Sequence, residues 1–282
     1  MKARIFLPLG LLLLLASSLA TAQVGFSPQY FDLPLAEAQG THAYRLFNLT
    51  EDPKQVKVSV VSWDFDDRGE IRILPSTDTS LDQWVVVNPV EFTIPPGESQ
   101  AVRFSIRPAV ALADGEHRAM LIFDEIPQAQ DVPAASTAGA QTALRARFQF
   151  RSAIYLQAGQ ASRRAEITSA TADATTLHVQ VTARGSANTR PDGQFMIWKA
   201  AAFPGLDKVA LLGNLADEKP ELPSGMLAAG RLPGQPVLPG SSRKYEIALG
   251  TTLAKGRYVA VLLGHLGEDA LSRQFAFDVP GH

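Results

Sequence analysis

The segment WVVVNPVEFTIPPGESQAVRFSIRP, residues 84 to 108, decides how this chain folds. Trp84 to Val87 and Val90 to Ile94 are short runs of β-branched and aromatic residues. After Pro95-Pro96-Gly97, the run Gln100 to Ile106 alternates, with Val102, Phe104 and Ile106 on one side and Ala101, Arg103 and Ser105 on the other. Side chains repeat every two residues along a strand and every 3.6 along a helix, so this spacing predicts half-buried strands punctuated by a Pro-Gly turn.

The same period of two extends outward in both directions. It predicts strands at Gly25 to Leu33, His42 to Asn48, Gln55 to Phe65, Glu70 to Leu74, Arg118 to Asp124 and Leu144 to Leu156, with turns at Asp67-Arg68-Gly69 and Asp114-Gly115. Nine short strands in about 130 residues fit an immunoglobulin-like sandwich. Trp63, Trp84, Phe92, Phe104 and Phe123 are its candidate core. A second β-rich segment has expected strands at Ala165 to Ala170, Thr176 to Ala183, Gln194 to Ala200, Arg243 to Ala248, Arg257 to Leu263 and Ser272 to Val279. Between them, Pro204 to Pro239 is rich in Gly, Pro and Ala. Alternation stops near Gln157-Ala158-Gly159-Gln160, which places the joint there. The division expected is an all-β chain with domains at 23–158 and 159–282.

Lys2 and Arg4 precede an apolar run from Leu9 to Leu15, and Ala20-Thr21-Ala22 closes the segment. This is the pattern of a secretory signal occupying 1–22, cleaved before Gln23. The apolar stretch is too short to span a bilayer, and no later one reaches the roughly 18 to 20 residues that spanning needs. The chain has no cysteine, so an exported fold must be stabilised by buried apolar area rather than disulfides. A net charge of -2 gives no bulk electrostatic case for nucleic acid or an anionic membrane surface.

Catalytic and metal chemistry find little support. His42, His117, His178, His265 and His282 are scattered without carboxylates at ligand spacing, and there is no nucleophile elbow or phosphate-cradling loop. The sequence therefore predicts no enzyme, metal or cofactor. The acidic stretch Trp63 to Glu70 lacks the full ligand run of a calcium loop and reads as a solvated hairpin tip with Gly69 at positive φ. Asn48-Leu49-Thr50 is formally a glycosylation sequon and reads as a strand end and turn.

The run ALRARFQFRSAIYL, residues 143 to 156, puts Leu144, Ala146, Phe148 and Phe150 on one face, with Arg145, Arg147 and Arg151 on the other. Such a row either fills the sandwich's own core or is held out for another chain. Ile154 and Leu156, nearer the joint, read as core.

GEHRAMLIFDEIP, residues 115 to 127, resembles the strand and exit turn of the PapD-like periplasmic chaperones of the chaperone-usher pathway, in its opening Glu116 and closing Glu125-Ile126-Pro127. WVVVNPVEFTIPPGESQAVRFSIRP and SPQYFDLPLAEAQGTHAYRLFN (27 to 48) resemble other strands of that family. Over the second segment the resemblance rests on LPGSSRKYEIAL and KGRYVAVLL. It implies two immunoglobulin-like β-sandwich domains in a boomerang-like arrangement, in the periplasm. It also implies a strand whose alternating apolar residues (Leu144, Ala146, Phe148, Phe150) are lent to a fimbrial or pilus subunit lacking its last strand, before delivery to an outer-membrane usher. Arg151 matches a basic residue that anchors the subunit's terminal carboxylate. The chain departs from the pattern in the first strand, where Gln29 and Tyr30 stand in place of a second cation that Arg45 or another residue could replace, and at Ile122, where the family usually has Asn. The alternative is an immunoglobulin-like structural or interaction module with no subunit client; whether free copies self-associate is left open by the sequence.

Overall fold

The computed structural model describes residues 24–66, 69–127, 147–213, 215 and 221–281. The expected signal segment, and Leu144, Arg145 and Ala146 of the arginine-backed run, lie outside the described residues.

Two sheets are built from the first part of the chain. One has the order β1-β3-β8-β6, from β1 (Val24–Ser27), β3 (His42–Asn48), β8 (Ser99–Ile106) and β6 (Val85–Asn88). The other has the order β2-β10-β9-β4-β5, from β2 (Phe31–Pro34), β10 (Gln149–Ala158), β9 (Gly115–Glu125), β4 (Lys54–Phe65) and β5 (Ile71–Leu74), with β7 (Glu91–Ile94) also paired to β4. The second part builds a sheet β11-β12-β15, from β11 (Ala165–Ala172), β12 (Thr176–Ala183) and β15 (Ser242–Ala248). It packs on a sheet β14-β13-β16-β17, from β14 (Met226–Arg231), β13 (Pro191–Lys199), β16 (Gly256–Leu266) and β17 (Asp269–Val279). The fold is thus all-β, two sandwiches in series, and among the described residues no helix is long and apolar enough to cross a membrane.

Several expected strands are redrawn. The run from Gly25 to Leu33 is split in two: β1 pairs with β3 in one sheet, and β2 pairs with β10 in the other. Pro28 has no N–H to give a ladder, so the chain leaves one sheet there and enters the other. Trp84 closes a short 3₁₀ turn, Leu81–Trp84, and the strand begins at Val85. Gln157 and Ala158, expected at the joint, are the last residues of β10. β14 lies inside the stretch Pro204 to Pro239, where no strand was expected.

In the first sandwich the even positions of β10, Ile154 and Leu156, and the odd positions of β9, Ala119, Leu121 and Phe123, enter one core. Aromatic rings fill its centre: Phe31 meets Tyr44 at 4.9 Å and Tyr44 meets Phe123 at 5.4 Å, both edge-on. Each fully buried Phe or Leu contributes roughly 1.5–3 kcal/mol, which is how a chain without disulfides can hold this shape. Burial raises the Tyr44 phenol pKa, and the Tyr44 hydroxyl bonds Ser152 Oγ at 2.8 Å. The opposite faces of β9, β10 and β4 supply Met120, Ile122, Tyr155 and Trp63, which pack with Leu238 of the second part. Trp63 is therefore buried between the sandwiches and not inside one.

Asn48 of the sequon is wholly buried. Its Nδ2 donates to the carbonyls of Asp52 (2.8 Å) and Ile94 (2.9 Å), and its Oδ1 accepts from the Thr50 N–H (3.0 Å). The side chain pins the end of β3 to the Pro95 turn, as the reading of a strand end and turn requires.

Two bridges flank the joint. Glu116, its side chain fully buried, accepts from the Asn188 main-chain N–H (2.7 Å) and Nδ2 (2.5 Å) and from Gln157 Nε2 (3.3 Å). At the other side, Gly69 turns the β4–β5 hairpin at φ 80°, and its carbonyl accepts from Arg243 Nη2 at 3.0 Å. The Arg243 guanidinium also lies 4.4 Å above the Phe65 ring. Arg163 adds an ion pair to Asp32 at 2.6 Å.

Candidate functional site

β10 carries two features of one site, an open edge and a cleft. On one side it pairs with β9 along its whole length, from Gln149 to Ala158. On the other side β2 covers only Ile154 to Gln157, in parallel register. The Glu125 N–H donates to the Phe148 carbonyl at 3.2 Å, which sets the ladder's parity. The main-chain groups of Phe148, Phe150 and Ser152 point at β9, and those of Gln149 and Arg151 point away from it. Among the described residues the exposed half of β10 is thus an unpaired strand edge, the kind of surface that another strand can extend.

That edge ends abruptly. Ser152, wholly buried, bonds the Gln29 carbonyl at 2.8 Å as well as Tyr44. This ties the turn between β1 and β2 across the edge, and β2 begins there. A strand added from the Phe148 end must stop level with Arg151 or Ser152.

Phe148 and Phe150 face the sandwich's own interior, half-buried against its core cluster. Their rings stack 5.0 Å apart, and Phe150 lies 4.8 Å from Phe26. The face is the one expected from the alternation. Its other two members, Leu144 and Ala146, lie outside the described residues.

Arg151 projects from the opposite face of β10, exposed, its Nε donating to Gln149 Oε1 at 2.7 Å. It lines a cleft of about 290 Å³ together with Tyr30, Trp63, Met120 and Tyr155 of the first sandwich and Arg190 of the second. The floor is apolar and aromatic, the walls carry two guanidinium groups, and no carboxylate is among the lining residues. Burial pushes the Tyr155 phenol up to about 12, against the pull of Arg190. The floor hydroxyl therefore stays neutral at physiological pH and adds no negative charge.

Of the cleft residues, Arg190, Met120 and Tyr155 were not flagged by the sequence, and Trp63 was read only as core. The Arg190 guanidinium carbon lies 4.0 Å over the Tyr30 ring and 5.5 Å from that of Tyr155. One Nη donates to the Gly234 carbonyl at 2.9 Å. Arg45 does not line the cleft; it is exposed on β3 and donates to Ser99 Oγ at 3.1 Å. A signal for Trp63 exists in β4. Val56, Val58 and Val60 put even positions into the core, and Val61, Trp63 and Phe65 then put odd positions on the other face. A parity change within one strand marks a second buried surface. Among the described residues no group of three or more His, Asp or Glu could hold a metal ion.

No protein-family model matches the sequence, and no curated protein matches it. Solved structures similar to the chain include several chaperones. The class 5 fimbriae chaperone CfaA is 11% identical, with 91% of this chain and 99% of that chain covered, at a TM-score of 0.45. A chain of the CsuC–CsuE chaperone–tip adhesion subunit pre-assembly complex, from the archaic chaperone-usher Csu pili of Acinetobacter baumannii, is 13% identical, with 92% and 100% covered, at 0.45. The YadV chaperone is 12% identical, with 91% and 100% covered, at 0.43.

Proposed function

We propose that this chain is a periplasmic chaperone that captures exported fimbrial or pilus subunits by lending them a strand and hands them to an outer-membrane usher. The observation that carries the proposal is an edge of β10 that no other described strand pairs, beside a row of apolar side chains that is only half-buried at Phe148 and Phe150. A subunit lacking its last strand exposes both a main-chain edge and an apolar groove. The edge of β10 supplies the main-chain bonds, and the row Leu144, Ala146, Phe148 and Phe150 fills the groove. Release needs no nucleotide or other cofactor, because the subunit exchanges the lent strand for a better-fitting one.

The edge leads into the cleft, and Arg151 stands where it stops. A chain end arriving with its carboxylate is attracted there, and one arriving with its ammonium group is repelled, so charge favours an added strand running parallel to β10. Arg151 then anchors the terminal carboxylate through its planar fork. The sandwiches correspond in this proposal to domains 23–158 and 159–282, behind a signal at 1–22.

The rival reading is a self-contained immunoglobulin-like module, favoured by the contact of Phe150 with Phe26 inside the same sandwich. A pull-down from periplasm separates them, using tagged wild type beside Phe148→Arg/Phe150→Arg with circular dichroism on both. A small β-rich exported protein bound to wild type and missing from the folded variant supports strand donation. Identical partners on both would remove it.

A further inference from the structure

An open strand edge invites another strand to add to it, and folds guard such edges with bulges, covering side chains, prolines or charge. The second sandwich treats the two edges of its smaller sheet differently. β11 has a register shift between Ile167 and Ser169, and the Ile167 carbonyl accepts from Arg273 Nη1 at 2.5 Å. β15, at the opposite edge, pairs with β12 in unbroken register from Ser242 to Ala248 and contains no proline. The Leu249 N–H donates to the Thr175 carbonyl at 2.8 Å, and the Ala183 N–H to the Ser241 carbonyl at 3.0 Å. Odd positions of β15 therefore turn their main-chain groups toward β12, and Ser242, Lys244, Glu246 and Ala248 turn theirs outward. All four are exposed, and no described strand pairs with that side. The guard that remains is two charges of opposite sign, one pleat apart. Lys244 stands opposite Gln180, a neutral neighbour. The Glu246 side chain is 79% exposed, with His178 Nδ1 3.9 Å away.

We propose that the free edge of β15 docks β15 of a second copy of this chain, antiparallel about a two-fold axis at Tyr245. That axis sets Lys244 opposite the partner's Glu246 and Glu246 opposite the partner's Lys244, with Ser242 facing the partner's Ala248 at each end. Each of these residues presents its N–H and C=O to the edge, so the facing residues are hydrogen-bonding pairs and about eight main-chain bonds close. Ser242 and Ala248 are small and leave the flanks clear. The charges choose the register: a slip of two residues would set Lys244 against Lys244 or Glu246 against Glu246, and like charges directly opposite are unfavourable. Exposed ion pairs add little strength, so the main chain holds the copies together and the charges specify how. The two three-stranded sheets then run on as one. Because β15 belongs to the second sandwich, the open half of β10 stays free, and the dimer presents two such edges. The inference does not depend on strand capture.

The test is sedimentation equilibrium of the full mature chain from about 1 µM to about 1 mM, the span in which small interfaces associate, with amide hydrogen exchange at both ends of that range. A reversible dimer is expected, and the amides of Lys244 and Glu246 should gain protection as concentration rises. Lys244→Glu and Glu246→Lys should each weaken the dimer about ten-fold or more, since each sets two like-charged pairs face to face. The exchange Lys244→Glu/Glu246→Lys should restore it, a recovery that damage to the fold does not give. Ala248→Pro removes an outward N–H, leaves the β12 ladder whole and should also weaken the dimer. A chain that stays monomeric throughout, or a dimer indifferent to the single reversals, would overturn the proposal. So would concentration-dependent protection at Gln149 and Arg151 in place of Lys244 and Glu246, which would put the contact on β10. Protection of Lys244 and Glu246 seen only in the complex recovered by the pull-down would give the edge to another protein, and would overturn it too. Phe148→Arg/Phe150→Arg should dimerise as the wild type does, so strand capture and this contact can fail separately.

Discussion

Replacing Phe150 by Ala measures how firmly the apolar row belongs to its own sandwich. Its ring is half-buried, in contact with Phe26 at 4.8 Å and Phe148 at 5.0 Å. Phe123, its neighbour across the β10–β9 ladder, is fully buried. Truncating a fully buried Phe costs about 3–5 kcal/mol, so Phe123→Ala should lie in that range. Phe150 loses about half the transfer term and leaves a cavity open to solvent, so Phe150→Ala should cost about 1–2 kcal/mol. Seated in a client's groove the same ring would be fully buried, gaining about 1–2 kcal/mol over its resting place, or roughly ten-fold in client affinity. Urea melts of the two variants, paired with titration of the client identified by the pull-down, read both quantities. Equal destabilisation by Phe150→Ala and Phe123→Ala would refute the reasoning, because the ring would then be ordinary core. Client affinity unchanged within about two-fold would refute it as well.

Three further outcomes follow from the geometry. Glu116→Ala strands the Asn188 N–H and side-chain amide at the joint and should lower stability by about 3–5 kcal/mol; a urea melt showing under about 1 kcal/mol would mean the bridge carries little. Asn48→Ala leaves the Ile94 and Asp52 carbonyls and the Thr50 N–H without their partner, at about 2–4 kcal/mol. Hydrogen exchange should rise at Thr50 and Gly97, and unchanged protection there would contradict the account. The phenols of Tyr44, Tyr155 and Tyr245 are all raised by burial, Tyr155 to about 12. The unfolded chain sheds these protons near pH 10 and the folded one does not, so stability is intact below pH 10 and falls as pH rises beyond it. Tyrosinate absorbance that developed fully at pH 10 without unfolding would contradict that sign.

The sandwich class was legible because its signals are local. Alternation in Gln100 to Ile106, the turn at Pro95 to Gly97 and the positive φ of Gly69 each depend on neighbours in sequence. β14 was not legible, since MLAAGR has no β-branched residue and derives its strand geometry from pairing with β13. The split at Pro28 could have been anticipated, because proline interrupts a ladder; which sheet each half joins could not. Arg151 was visible as one member of an alternating strand. Arg190 was not, since Tyr30 and Tyr155 are distant in sequence and only the meeting of the sandwiches brings them together. Met120 and Ile122 were masked differently: MLIF is a continuous apolar run, and periodicity cannot divide such a run between two surfaces.

The bridges at Glu116–Asn188 and Gly69–Arg243 make the meeting of the sandwiches a braced corner, unlike a hinge that is pinned at a single place. A pinned corner lets each half be exchanged freely; a braced one does not. Cutting the chain at 158 would uncover Trp63, Met120, Ile122 and Tyr155 on one fragment and Leu238 on the other. The first sandwich cut free should therefore be sticky. A graft that gives it a foreign second sandwich would have to carry over Asn188, Leu238 and Arg243 before the corner would hold.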